Sequence, residues 1–114
     1  MTVAYQATLL NNTVTASGDT SATPVTTRHC REGIFYLDIT SVSGSSPTLD
    51  LTFKVYDEVS AKWFELASFD RKTTTCTDVG YIQFGLDGKV ALFYTVGGTN
   101  PSFTLTVSVH LKEG

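Results

Sequence analysis

Positive charge is scarce in this sequence, and the little there is stays dispersed. Eight Lys and Arg residues stand against eleven Asp and Glu in 114 residues, which leaves a net charge of -3. The basic residues form no cluster longer than Arg71-Lys72. Because affinity for nucleic acid comes largely from neutralising phosphates, this pattern argues against a nucleic-acid partner.

Long hydrophobic runs are also absent. No stretch approaches the roughly 20 apolar residues that a helix needs to cross a bilayer, so we expect no membrane partner. The opening MTVAYQATLLNN has neither a basic region nor a continuous apolar block. A secretion signal is therefore not expected, and the chain is predicted to fold in the cytoplasm where it is made.

Metal ligands and catalytic motifs are few. The two cysteines, Cys30 and Cys76, make no disulfide framework, and whether they bond to each other stays open. Adding His29 and His110 gives a formal Cys2His2 set, but no pair has the spacing of a zinc site. The chain contains no nucleophile elbow, and its carboxylates are scattered. We therefore predict no enzyme, no metal, no cofactor and no small-molecule ligand.

Thr and Ser, in contrast, make up about a quarter of the 114 residues. β-Branched residues favour strands over helices, and no segment has a convincing helical pattern. The length suits one domain over residues 1–114.

Period-2 alternation supports a β fold. In residues 48–56, Leu49, Leu51, Phe53 and Val55 fall on one face; in 102–112, alternate residues from Phe103 to Leu111 do the same. Residues 33–42 and 89–96 are more uniformly apolar, as in central strands. Asp87-Gly88 predicts a tight hairpin turn. We predict about eight short strands in an antiparallel β-sandwich, jelly-roll-like in topology.

One motif occurs twice. SGSSPTLDLTFKVY (43–56) aligns with GGTNPSFTLTVSVH (97–110), and Gly44 and Pro47 match Gly98 and Pro101. Glycine allows positive φ, and proline fixes φ at the start of a strand. We interpret the repeat as two related scaffold hairpins that face each other across the two sheets. An ancestral repeat of binding loops is the alternative.

Exposed aromatic residues are the candidate contacts. Tyr56 falls on the polar face of its strand, while Trp63 and Phe64 must point opposite ways, so one of them is only partly covered. Such rings anchor interfaces or stack on sugars. The N-terminal residues 1–12 form either an edge strand or an arm that reaches another subunit. The predicted interface residues are Val3, Tyr5, Leu9, Tyr56, Trp63 and Phe64.

The segments SGSSPTLD, YDEVSAKW and GGTNPSFT, within residues 33–112, resemble small structural proteins of tailed bacteriophages. The resemblance implies a non-enzymatic virion component. Its implied role is a head decoration or cement protein that binds the major capsid protein as a homotrimer on the capsid surface. It implies no functional residue. A tail or baseplate accessory protein is an alternative within the virion.

A carbohydrate-binding β-sandwich is the alternative of another class. It would use Tyr56 and Trp63, together with Tyr36 or Tyr81, as stacking platforms. It predicts that these aromatic rings are coplanar on one exposed face and that the protein is a monomer.

Overall fold

The computed structural model describes residues 3–27, 30–83 and 88–113, apart from the side chains of 3–5, 31 and 113. Within these ranges the chain contains strands and no helix, so no helix there could span a membrane. The strands are β1 (Val3–Val14), β2 (Gly18–Asp19), β3 (Val25–Thr26), β4 (Cys30–Asp57), β5 (Lys62–Ser68), β6 (Cys76–Gln83) and β7 (Lys89–Glu113). The predicted all-β, antiparallel fold is confirmed.

Two unusually long strands organise the molecule. β4 has 28 residues and β7 has 25, and they pair antiparallel along nearly their whole length. Shorter strands flank each half: β1 and β6 lie beside the pair 30–43 with 102–113, whereas β2, β3 and β5 lie beside 48–57 with 89–97. We call the first group layer A and the second layer B.

The two layers pack face to face. Phe35 belongs to layer A and Phe53 to layer B. If β4 were fully extended, the 18-residue separation between these positions would place them about 60 Å apart. Their ring centroids are 3.8 Å apart. β4 therefore folds back on itself, and the continuous sheet becomes a sandwich whose strands change layer at a corner.

The repeated motif forms that corner. Ser43 pairs with Ser102 and Thr48 with Gly97, so the two copies lie opposite each other, not in separate hairpins as the sequence suggested. Gly44 and Gly98 both have φ of 108°. A Cβ on Gly44 would lie 2.6 Å from the Asn100 carbonyl oxygen, and one on Gly98 would lie 2.7 Å from that of Ser46. The copies thus form one paired bulge with approximate local two-fold symmetry.

Alternation along the long strands sorts residues into core and surface. Most inward residues of β4 and of the second half of β7 are almost completely buried, as predicted, although Val55 is only half-buried. The hydrophobic residues that are at most 2% exposed there are Cys30, Phe35, Leu37, Ile39, Leu49, Leu51, Phe53, Phe103, Leu105, Val107, Val109 and Leu111. Apolar burial of this extent is the main force that holds the layers together.

The predicted hairpin between residues 81–85 and 89–94 is wrong. β6 pairs with β4 in layer A, whereas the start of β7 pairs with β3 and β4 in layer B. β6 therefore ends in layer A and β7 begins in layer B. Asp87 lies outside the described residues, as does His29 of the hypothetical zinc set. The β4–β5 hairpin was predicted correctly, with Asp57 opposite Lys62.

Cys30 and Cys76 are far apart, because Cys30 lies in β4 and Cys76 lies beside a distant position of that strand. Cys30 pairs with Glu113 at the start of the strand, while Cys76 pairs with Ile39, nine residues further on. That separation is about 30 Å along a strand, against the 7 Å limit for a disulfide between Cα atoms. No disulfide joins them in this fold.

Candidate functional site

A groove of about 600 Å³, open to solvent, lies on the outer face of layer A. Strands β4, β6 and β7 supply its lining: Tyr36, Leu37, Asp38, Thr77, Asp78, Val79, Thr106 and Ser108. A volume in this range is typical of small-molecule or oligosaccharide sites.

Strand register explains why these side chains meet. Tyr36 pairs with Val79 on one side and with Ser108 on the other, which places the three in one row across the sheet. Asp38 pairs likewise with Thr77 and Thr106 in the next row. Because residues directly opposite each other point to the same face, both rows project into the groove.

Two exposed tyrosines lie on this face of layer A, Tyr36 in the groove lining and Tyr81 beside it. Tyr36 is 41% exposed and Tyr81 is 55% exposed. Tyr81 pairs with Ile34, two residues before Tyr36, so the two tyrosines are diagonal neighbours, about 7–8 Å apart on the backbone. The Tyr36 and His110 rings pack edge-to-face, with centroids 4.8 Å apart and an interplanar angle of 62°, and this contact restricts the Tyr36 ring.

The carboxylates of Asp38 and Asp78 differ in direction and in partners: Asp38 projects into the groove, whereas Asp78 lies opposite the buried Leu37 and so points to the other side of the sheet. Lys72 donates a 2.6 Å bond to one oxygen of Asp78, and the Val79 N–H donates a 2.8 Å bond to the other. The Lys72 hydrogen bond, with that of Val79, lowers the pKa of Asp78 below its ordinary value. For Asp38, which is exposed, no partner is found among the described residues. Its carboxylate is therefore available to a ligand.

Hydroxyl groups complete one wall of the groove. Thr106 donates a 3.1 Å bond to Asn11 on β1, and Thr13 and Thr104 share a 2.9 Å bond one row away. Ser108 lies beside Tyr36 in the same row. These side chains offer neutral donors and acceptors, so apart from Asp38 and the paired Asp78 the groove lining is uncharged.

The outer face of layer B carries a separate aromatic cluster. Trp63 lies between Tyr56, at 5.1 Å, and Phe93, at 5.7 Å, with interplanar angles of 57° and 59°. A second cavity of about 300 Å³ borders Tyr56 and Trp63. Its other lining residues are Ser21, Pro24, Glu58 and Lys89.

The residues that sequence analysis singled out are thus divided between several places. Tyr36 and Tyr81 lie on layer A, and Tyr56 and Trp63 lie on layer B. The four predicted sugar platforms therefore do not share a face, and the Tyr56 and Trp63 rings are tilted, not coplanar. As predicted, Trp63 and Phe64 point opposite ways, and Phe64 is 50% exposed.

The N-terminal candidates belong to β1, which pairs with β7 of the same chain. Leu9 is 7% exposed and packs into the core cluster. The side chains of Val3 and Tyr5 lie outside the described ones. The groove was not foreseen as a site, although the outward positions of Tyr36 and Asp38 could have indicated it; the missing information was that β6 lies beside them. No group of three metal-ligating side chains occurs in the described ranges.

Solved structures with the same fold include carbohydrate-binding modules. A mutant of a family 29 carbohydrate-binding module matches with a TM-score of 0.51 and 10% identity, over 97% of this chain and 94% of that one. The CBM22-1 and GH10 modules of Clostridium thermocellum endo-1,4-beta-D-xylanase 10B, complexed with xylohexaose, match with a TM-score of 0.53 and 8% identity. That match covers 92% of this chain and 28% of the other. At such identities the likeness establishes a shared β-sandwich fold. No protein-family model and no curated protein matches the chain.

Proposed function

We propose that this protein is a non-catalytic carbohydrate-binding domain that holds a neutral oligosaccharide in the groove of layer A. The observation that carries the proposal is that an exposed tyrosine, Tyr36, and an unpartnered carboxylate, Asp38, line one concave surface, with exposed Tyr81 beside them on the same face. The carbohydrate-binding modules that share the fold support it. Their similarity alone, at about a tenth of residues identical, does not carry it.

A sugar ring suits this chemistry because it is amphipathic. One of its faces presents C–H groups, which pack on the electron-rich face of an aromatic ring. Its edge presents hydroxyls, which require hydrogen-bond acceptors. Tyr36 and Tyr81 would supply the stacking surfaces, and Asp38 would accept bonds from two neighbouring hydroxyls.

The charge of the groove lining determines which sugars it favours. The unpaired charge in the groove lining is the negative one of Asp38, since Asp78 is neutralised by Lys72 at 2.6 Å. A uronic acid or a phosphorylated sugar would bring a second negative charge next to Asp38, and like charges repel. Neutral pentose or hexose chains fit this surface.

The same carboxylates argue against glycoside hydrolysis. That reaction uses two carboxyl groups flanking the bond, one of which is a general acid with a raised pKa. Asp78 has a lowered pKa because of its hydrogen bond from Lys72, and both of its oxygens are engaged. It stays ionised and cannot donate the proton that the leaving group requires.

The test is binding to neutral polysaccharides. Affinity electrophoresis in gels containing xylan, mannan or mixed-linkage glucan would identify a ligand, and isothermal titration calorimetry would then measure the matching hexasaccharide. Tyr36→Ala and Asp38→Ala should each weaken binding about tenfold. Phe64→Ala is the matched control, because it removes an aromatic ring of comparable exposure, 50% against 41% for Tyr36, outside the groove. Unchanged affinity in both groove variants, or no binding to any of the polysaccharides, would refute the proposal.

A second candidate function is the bacteriophage head decoration protein that the sequence resemblance implies. The observation that favours it is the apolar end of the β4–β5 hairpin, where Val59 is 96% and Phe64 50% exposed. Exposed apolar side chains suit a protein contact. This candidate predicts a homotrimer that binds the major capsid protein. Light scattering and co-sedimentation with expanded phage heads would test it; a monomer that stays in the supernatant would contradict it.

A further inference from the structure

We infer that the cavity around Trp63, on the outer face of layer B, is a second binding site, which takes a single sugar unit of a neutral glycan. The inference rests on the proposed function, because both sites take the same class of ligand. The cavity of about 300 Å³ is about half the size of the groove, so it suits a shorter part of a chain. It shares none of its lining residues with the groove.

The aromatic part of this cavity is held in place before any ligand arrives. Trp63 contacts Tyr56 and Phe93 as tilted rings at 5.1 and 5.7 Å. Lys54 places its Nζ 4.5 Å from the Phe93 centroid, and Lys89 places its Nζ 5.7 Å from that of Tyr56. These neighbours restrict the rings. Binding then requires little further loss of side-chain freedom, which favours affinity.

The wall formed by residues 20–24 is also fixed. The Thr20 N–H donates to the Leu92 carbonyl at 2.9 Å, and the Leu92 N–H donates to the Thr20 hydroxyl at 3.0 Å. The Thr23 N–H closes the turn by donating to the Thr20 carbonyl at 3.0 Å. Ser21 and Pro24, which line the cavity, are therefore held by bonds between the loop and β7. The cavity is preformed, as binding pockets usually are.

The polar rim of the cavity selects a neutral ligand. Lys89 and Glu58 approach to 3.5 Å, and their side chains are 47% and 74% exposed. A pair this long and this exposed contributes little to stability, so its groups can turn to ligand hydroxyls at small cost. Their charges cancel, which gives no advantage to an anion or a cation. A ligand that inserts a purely apolar group would leave Lys89 and Glu58 without hydroxyl partners. A sugar can pack its C–H groups on the rings and direct its hydroxyls to Lys89 and Glu58.

The two sites lie on opposite outer faces of the sandwich. The smallest dimension of the molecule is 20 Å. A glycan that lies in the groove of layer A therefore runs over the surface opposite the Trp63 cavity. A short oligosaccharide cannot occupy both sites at once. The domain would therefore bind two separate polysaccharide chains and could bridge them.

Fluorescence separates the two sites, because Trp63 is the single tryptophan of the sequence. The probes are xylohexaose, cellohexaose and mannohexaose, titrated into the full chain and into a Tyr36→Ala/Asp38→Ala variant, whose changes are confined to layer A. We expect at least one hexasaccharide to alter Trp63 emission saturably in both proteins. Calorimetry of the full chain should give two sites, and that of the double variant one.

An exposed rim residue provides the matched variant on layer B. Glu58→Ala keeps all three rings and the Lys89 contact with Tyr56, and it should weaken the fluorescence-detected binding about tenfold while leaving the groove unaffected. If the full chain binds at one site and Tyr36→Ala/Asp38→Ala abolishes it without any emission change, the second site is refuted and the proposed function stands. If neither the full chain nor any variant binds these probes or the polysaccharides, both are refuted.

Discussion

Replacing Gly44 by alanine tests whether the repeated motif is the corner of the sandwich. Gly44 has φ of 108°, a conformation that residues with a Cβ rarely adopt. The added methyl would also lie 2.6 Å from the Asn100 carbonyl oxygen and 2.9 Å from the Pro101 Cα. These are backbone atoms of the paired strand, which cannot move aside as the end of a flexible side chain could.

Both effects contribute to the expected loss. Holding a non-glycine residue in a disfavoured backbone conformation costs about 1–3 kcal/mol, and overpacking costs about another 1–3 kcal/mol. Gly44→Ala should therefore lower the free energy of unfolding by about 2–6 kcal/mol, a large part of the 5–15 kcal/mol typical of a domain. Urea unfolding followed by circular dichroism measures it, and the midpoint should fall by about 1 M or more.

Two further variants make the test specific. Gly80→Ala is the control, since its Cβ would meet the Phe69 ring at 3.4 Å, an ordinary contact, and φ is not positive. It should leave stability unchanged or raise it by about 0.4–1 kcal/mol. Gly98→Ala should lower the free energy of unfolding by as much as Gly44→Ala, because the bulge is symmetric. The double variant should lose less than the sum of the two single losses, because both methyl groups disturb the same contact between the two copies of the motif. If Gly44→Ala unfolds within 0.5 M urea of the parent, the corner is not as tight as the structure indicates.

Three other changes have defined outcomes. Phe53→Ala removes a ring that is 1% exposed and should cost about 3–5 kcal/mol in thermal or urea unfolding, whereas Val59→Ala, 96% exposed, should change little. Asp78→Asn should destabilise the protein near pH 7. The Lys72 bond lowers the folded pKa of Asp78, so its contribution is complete above the ordinary Asp pKa of about 3.9 and is lost as the pH falls through the folded value. The melting temperatures of variant and parent should then converge in strong acid; a constant difference would contradict the assignment. Deleting residues 1–10 removes most of β1 and the buried Leu9, so it should lower the melting temperature, and a truncated chain that melts with the parent would show that β1 adds nothing to the sandwich.

Local pattern determined a good part of this molecule. Alternation of apolar and polar residues predicted which side of residues 48–56 and 102–112 is buried, because successive side chains on a strand point to opposite faces whatever the strand pairs with. Leu51 and Phe53 are 1% exposed as a result. The Asp57 turn was also recognisable, since its carboxylate accepts bonds from Val59 and Ser60 within the turn itself.

Strand pairing could not be determined in the same way, because it depends on contacts between residues distant in sequence. The repeat predicted two hairpins, yet both copies are bulges in long strands that pair with each other. Only pairing of β6 with β4 brings Val79 and Tyr81 beside Tyr36 and Asp38.

For the candidate sites as well, local sequence pattern determined one property and the tertiary structure determined another. Strand alternation alone placed Tyr56 on the polar face of its strand and set Trp63 and Phe64 on opposite faces. Only the tertiary structure decided that Tyr36 and Tyr81 lie on one outer face, and Tyr56 and Trp63 on the opposite one. The reason is that the face of a sandwich is set by which layer a strand joins, and here β4 supplies both layers by turning at Gly44.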